Sequence, residues 1–254
     1  MIINTQGSTL ELIRGDCLEA MAEIPDASVD LILCDLPYGI TDAAWDRVIP
    51  YGPLWDQYNR ILKPHGAAVL FSMQPFTAKL IHSNAKAYRY SWYWLKRQTT
   101  GFTYARYQPM RKVEEICVFY RQAPTYNPQG LVPIPPVMRR GSASKAGGIY
   151  HKGSLGKDYV PKFRNWPVNV LDYASERGFH PTQKPVPLLE YLIRTYTNDG
   201  DVILDNAMGS GSTGAAVMRV GGGRRFIGIE LSEKYFEIAC RRLEAQSTMD
   251  QRNG

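Results

Sequence analysis

The run VDLILC, residues 29–34, is apolar at five of its six positions. A strand wetted on one side alternates apolar and polar residues, so an unbroken run of this kind belongs to a strand covered on both faces. Coverage on both faces requires helices packed above and below a mostly parallel sheet. The run then stops abruptly at Asp35-Leu36-Pro37-Tyr38, which places an acid and an aromatic ring together at the carboxyl end of a buried strand.

The rest of the chain repeats this alternation. LELIR (10–14) reads as a strand and residues 16–23 as a short helix. Pro53 is expected to open a helix carrying Leu54, Tyr58, Ile61 and Leu62 at helical spacing, with KPHG as the turn that closes it. AAVLF (67–71) is another buried strand, and YRYSWYWL (88–95) and EICVFY (115–120) are aromatic, β-prone runs. Towards the carboxyl end, Leu188, Leu189, Leu192 and Ile193 mark a helix, DVILD (201–205) a strand and STGAAVMRV a helix. FIGIE (226–230) is a further strand, and Ser232 is placed to cap a last helix carrying Phe236, Ala239, Cys240 and Leu243. At 254 residues the expected architecture is one α/β domain with a small insertion.

The insertion is visible in the composition. Residues 121–178 are rich in proline, glycine and serine, too long for an ordinary connection. The organisation expected is therefore 1–120, an insert over 121–178, and 179–254 completing the first part. Charge points the same way. Residues 86–178 hold 16 Lys/Arg against 5 Asp/Glu, a balance of +11 within a chain of net charge +6, so the remainder stands at −5. A basic middle between acidic ends suits a polyanionic partner. Cys17, Cys34, Cys117 and Cys240 are widely spaced without CxxC or histidine pairing, and are expected to be free thiols in a reducing compartment, with no metal site. No apolar run approaches the roughly 18 residues that cross a bilayer. The start, MIINTQGSTLELIRGD, lacks the layout of a signal peptide, so the expected location is the cytoplasm.

VILDNAMGSGSTGAAV is a strand, an acid, a glycine-rich turn and a helix start. Glycines at 209 and 211 would let the backbone approach a ligand closely, while the helix start offers free N–H groups. Glu230 ends the next strand 25 residues after Asp205, where an acid is placed to accept from two ribose hydroxyls. The turn has neither the GxGxxG nor the GxxxxGK[ST] spacing, so it does not read as a phosphate loop.

Taken together, Asp35-Leu36-Pro37-Tyr38 resembles the DPPY motif of DNA amino-methyltransferases, and LDNAMGSGSTG resembles their cofactor motif. HPTQKP (180–185) matches the segment preceding that cofactor motif, and GDCLEAM (15–21) the segment before DPPY. This order is that of the β-class adenine-N6/cytosine-N4 enzymes. The resemblance implies a circularly permuted, Rossmann-like methyltransferase fold, S-adenosylmethionine as methyl donor, double-stranded DNA as substrate and a possible homodimer. It implies that Asp35 and the Leu36 carbonyl accept the N–H groups of the target amine, that Pro37 stiffens the turn and that Tyr38 stacks on a base flipped out of the duplex. Leu36 stands where the family has its first proline.

For the donor, the resemblance implies Asp16 at the adenine amine, Glu230 at the ribose, and Asp205, Gly209 and Gly211 at the methionine end. Cys17, Asp35, Ala207 and Thr213 line the same site, with His180, Thr182 and Lys184 contributed by HPTQKP. The insert would read the target, with Arg139, Arg140, Lys145, Lys152, Lys157, Lys162 and Arg164 mostly on phosphates. Tyr150, Tyr159 and Trp166 are either stacking residues or the insert's own core. Asp35 favours adenine-N6, because cytosine-N4 enzymes more often begin the motif with serine. Cytosine-N4 transfer, a DNA-binding module without turnover, and methylation of RNA or a protein amide are the competing readings.

Overall fold

The computed structural model describes residues 1–5, 7–40, 46–136, 160–176, 178 and 183–253, with the side chains of 250–253 excepted. It divides into two compact units, Met1–Asn127 with Asn169–Gly254, and Pro128–Val168. In the large unit the chain runs β1 (Ile2–Asn4), β2 (Ser8–Arg14), α1 (Cys17–Ala22), β3 (Val29–Asp35), α2 (Tyr51–Ile61), β4 (Leu62–Ser72), α3 (Phe76–Ser83), β5 (Tyr88–Thr100) and β6 (Arg111–Phe119). The small unit holds β7 (Val132–Pro133) and β8 (Phe163–Arg164). The large unit resumes with β9 (Val170–Tyr173), α4 (Val186–Tyr196), β10 (Val202–Asp205), α5 (Ser212–Val220), β11 (Arg224–Glu230) and α6 (Glu233–Asn253).

Among the described residues, nine strands form one sheet in the order β1-β2-β11-β10-β3-β4-β6-β5-β9. The five strands from β2 to β4 are mutually parallel, whereas β6 runs antiparallel to both β4 and β5. Strand alternation sends Leu31 and Leu33 to one face, with Leu192 and Ile193 of α4, Ala216 of α5 and Leu243 of α6. Ile32 and Cys34 go to the other face, with Met21 of α1, Leu54 and Tyr58 of α2, and Leu80 of α3. That two-sided burial is why VDLILC carries no polar alternation.

The direction of the crossovers positions the site. From β3 the chain passes through α2 to β4 on one side, and from β10 through α5 to β11 on the other. Adjacent β3 and β10 therefore form the point where the winding reverses, and the carboxyl ends of the strands open a crevice there.

Several local expectations change. α2 begins at Tyr51, two residues before Pro53, which falls in the first turn where a missing N–H costs no helical bond. KPHG belongs to β4 instead of forming a turn. Val29 pairs with Leu62 and Leu31 with Ala67, so five steps of β4 oppose two of β3. The extra residues form a bulge held by the Lys63 Nζ–Asp30 Oδ2 pair at 2.8 Å. Gly66 suits that bulge, because a Cβ there would crowd the Asp30 and Lys63 carbonyls, each at 3.1 Å. α3 has only eight residues, too few for its apolar period to show in the sequence. β9 adds to the large sheet beside β5 although its sequence lies in a loop-like stretch.

Candidate active site

Four neighbouring strands deliver a carboxylate to the same rim: Asp16 follows β2, Glu230 ends β11, Asp205 ends β10 and Asp35 ends β3. They line a cleft of about 680 Å³.

On the β10–β11 side the acids are satisfied by their own turns. Asp205 accepts from Thr213 Oγ1 at 2.6 Å and from the Ala207 N–H at 3.2 Å. Burial pushes its carboxyl up to about 6 against the pull of these donors. Glu230 accepts from the Gly209 N–H at 2.9 Å and the Ser232 N–H at 2.7 Å. Burial also raises its carboxyl. Gly209 takes a positive φ of 53° in the turn, which brings its N–H onto Glu230. From α6, Arg242 reaches back to the Ser210 carbonyl at 3.1 Å and to Ser212 Oγ at 2.9 Å, clamping the turn. Asp16 caps α1, its Oδ1 accepting from the Leu18 N–H at 2.8 Å, while its side chain faces the cleft. Cys17 also lines the cleft, and burial lifts its thiol to about 11.

On the β3 side the partners come from far away. Tyr38 donates its hydroxyl to Asp35 Oδ1 at 2.7 Å and tilts against Phe76, with ring centroids 4.9 Å apart. Burial raises the Tyr38 phenol well above its ordinary value, with Asp35 adding to the rise, so it stays a donor. Lys184 Nζ donates to Asp35 Oδ2 at 2.5 Å. Lys184 also lies 3.6 Å from Glu114 Oε2, and Glu114 Oε1 receives Lys96 Nζ at 2.9 Å. Lys184 and Lys96 are both buried, whereas the Asp35 side chain keeps 26% exposure and is reachable from the cleft. Beyond the motif, the Gly39 and Ile40 N–H groups donate to the buried Asp46 carboxylate at 2.8 and 2.9 Å, which anchors the chain leaving Tyr38.

Of the sequence-derived site residues, Asp16, Cys17, Asp35, Leu36, Pro37 and Tyr38 all meet at this cleft, as do Lys184, Asp205, Ala207, Gly209, Thr213 and Glu230. Leu36 is 4% exposed and packs in the core cluster that includes residues of α2 and α3. Gly211 is not part of the lining: at φ 77° a Cβ there would meet Leu243 and Ala239, so this glycine serves the packing of α6. His180 and Thr182 lie outside the described residues, as do Arg139, Arg140, Lys145, Lys152 and Lys157. Lys162 and Arg164 are exposed in the small unit, where β7 and β8 pair and the Ile134 N–H donates to the Lys162 carbonyl at 3.1 Å. Trp166 is 60% exposed and is not core; Tyr150 and Tyr159 lie outside the described residues.

Glu114, Lys96, Asp46 and Arg242 did not stand out in the sequence. One signal was available for Lys96: strand alternation puts residues 92, 94 and 96 on one face, and Trp92 and Trp94 mark that face as buried.

A family model for N6/N4-type DNA methylases matches residues 29–241. The chain belongs to that DNA methylase family. It is an S-adenosylmethionine-dependent DNA methyltransferase. DNA adenine methyltransferase YhdJ of Escherichia coli (strain K12) is 27% identical over 251 residues, covering 93% of this chain and 83% of YhdJ. Two solved structures share the fold. M1.HpyAVI in complex with SAM superposes with a TM-score of 0.60 at 23% identity, over 92% of this chain and 100% of that one. PvuII DNA methyltransferase, cytosine-N4-specific, does so with 0.64 at 16% identity, over 97% and 92%.

The methylase's cleft fits the donor by its chemistry. A sulfonium cation suits a crevice rimmed by four carboxylates, and ribose hydroxyls and an adenine amine are donors that need such acceptors. The volume is that of a site for a cofactor-sized ligand. Asn206 adds a buried amide to this wall: its Oδ1 accepts from Tyr58 at 2.6 Å, while its Nδ2 has no hydrogen-bond acceptor among the described residues.

Proposed function

We propose that this methylase transfers a methyl group to the exocyclic N6 amine of adenine in double-stranded DNA, in the cytoplasm, on a base flipped out of the helix. The observation carrying this reading is Asp35, held at the end of β3 by Tyr38 and facing the same cleft as Asp16, Asp205 and Glu230. A target amine needs an acceptor at this rim, because its lone pair is delocalised into the ring and must be drawn towards tetrahedral geometry. When bound, S-adenosylmethionine supplies an electrophilic methyl group with a thioether as leaving group. Asp35 accepts one N–H and the Leu36 carbonyl the other, and both stabilise the nitrogen as it becomes cationic. Asp35 is also the carboxylate nearest the proton that the methylated nitrogen sheds. Tyr38, braced by Phe76, offers a face to the flipped base. Glu230 and Asp16 hold the donor's ribose and adenine, and Asp205 and Gly209 line its methionine end.

DNA engagement is supported at two places. In the small unit, exposed Lys162 and Arg164 are suited to phosphates, with Arg139, Arg140, Lys145, Lys152 and Lys157 as expected companions from the sequence. In the large unit, the β5–β6 hairpin ends in Phe102, Tyr104 and Tyr107, which are 79%, 58% and 87% exposed, next to Arg106. Aromatic rings bared beside cations suit an opened base stack.

The deciding experiment incubates the protein with S-adenosylmethionine and unmethylated DNA, beside Asp35→Ala, and identifies nucleosides by mass spectrometry. N6-methyladenine from the native protein, with at least about 100-fold less from the variant, is the expected result. N4-methylcytosine alone would replace the base while keeping the mechanism, and full activity of Asp35→Ala would remove the acceptor role.

A further inference from the structure

In the arrangement described, Asp35 is already engaged before a base arrives. Lys184 places a full positive charge 2.5 Å from Oδ2, beside the carboxylate that is to stabilise a nitrogen turning cationic. An ammonium left there opposes the reaction, so it needs somewhere else to go.

Glu114 offers that seat. Its Oε1 is taken by Lys96 at 2.9 Å, and Lys96 is itself held by Thr100 Oγ1 at 3.2 Å. Its Oε2 is buried, has no hydrogen-bond partner among the described residues, and lies at ion-pair distance, 3.6 Å, from Lys184 Nζ. A buried carboxylate oxygen without a hydrogen bond is uncommon and costly. A shift of Nζ by under about 1 Å would bring it within hydrogen-bond distance. The Phe71 ring lies beneath the ammonium at 5.2 Å and supports it without fixing it to either acid. Burial alone would raise Glu114 and lower Lys184, but the neighbouring opposite charges outweigh it, so Glu114 ends lower and Lys184 higher than usual. The row Asp35, Lys184, Glu114, Lys96 thus alternates in sign, so that a shift of the lysine between the two acids would leave its net charge unchanged.

We propose that Glu114 is a positioning residue for methyl transfer: its Oε2 draws the Lys184 ammonium from ion-pair to hydrogen-bond distance as the target amine takes Asp35. The inference rests on the reading of Asp35 as the amine's acceptor. Because Glu114 acts through Lys184, its effect should vanish when that lysine is gone.

The test compares wild type, Glu114→Gln, Lys184→Met and the double variant, measuring single-turnover transfer to duplex DNA and donor affinity by calorimetry. Glu114→Gln is expected to slow transfer at least about 10-fold with donor Kd within about 3-fold, and to slow Lys184→Met by less than about 2-fold further. Wild-type rates in Glu114→Gln overturn the inference. So does an equal slowing in both backgrounds, or a loss of donor binding that matches the loss of rate. If thermal melting shows that Glu114→Gln does not fold, Glu114→Asp replaces it under the same criteria, since it keeps a charge for Lys96 but withdraws the carboxylate from Lys184. A wild-type protein without any transfer brings down the reading of Asp35 and this inference with it. An active wild type beside an unimpaired variant brings down the inference alone.

Discussion

At the β10–β11 wall, Asp205 takes its donors from Ala207 and Thr213, two and eight residues away, and Glu230 from Ser232 and Gly209, two and 21 residues away. At the β3 rim, Asp35 takes one donor from Tyr38, three residues on, and the other from Lys184, 149 residues away. The first wall is built by short turns whose backbone N–H groups are set as soon as strands β10 and β11 pair. The second exists only once α4, β5 and β6 have been brought to the end of β3. A motif that carries its own donors makes a preformed site, whereas one completed by distant charges can change its contacts when substrate binds.

The contrast can be broken most strongly at Asp205. Its carboxyl is raised to about 6 from 3.8, so the folded state binds the proton more tightly than the unfolded chain. This group's contribution therefore favours folding as pH falls from about 6 towards 4, and is lost as pH rises through 6. The difference of 2.2 corresponds to roughly 3 kcal/mol at most. In Asp205→Asn the amide oxygen can still accept from Ala207 while the Thr213 hydroxyl turns to accept. Denaturant melts of the two proteins from pH 4 to 7 should show the pH slope of the wild type flattened by that amount in the variant. Identical slopes would mean that the wall does not hold this acid out of water.

Glu230→Gln sharpens the comparison from the donor's side. It keeps one acceptor oxygen but removes the charge that faces the cleft, so donor Kd is expected to rise about 10-fold, close to 1.4 kcal/mol. The transfer rate at saturating donor should stay within about 3-fold of wild type, the reverse of the pattern expected for Asp35. Calorimetry with single-turnover kinetics separates the two, and a fall in rate without a change in affinity would erase the division of labour between the walls.

The smallest effect belongs to the hairpin that departs from both walls. Phe102→Ala and Tyr107→Ala remove rings that are 79% and 87% exposed, so stability should not move beyond the range of ordinary surface changes, about 0.5 kcal/mol. The KM for duplex DNA is expected to rise about 3- to 10-fold, by the stacking lost per base, with donor affinity unchanged. A duplex carrying a mismatched target base should narrow that gap, because its stack is already loosened.

Periodicity and turn residues by themselves determined the parallel core, the turn after β10 and the acids at the strand ends, while the resemblance of the motifs pointed to the family. These features are local: an apolar run declares a strand covered on both faces, and a glycine turn declares where backbone must reverse. The bulge at KPHG, the placing of Gly211 against α6 and the burial of Leu36 were decided by what packs against them. Only the tertiary structure decided that Lys184 touches Asp35, and that Glu114 and Lys96 continue the row of charges. The physical reason is that a buried charge needs hydrogen-bond donors or an opposite charge beside it, and these can come from anywhere in the chain. Nothing in the chain near Lys184 says that its partners lie 149 and 70 residues earlier, since that distance is closed by the order of strands in the sheet.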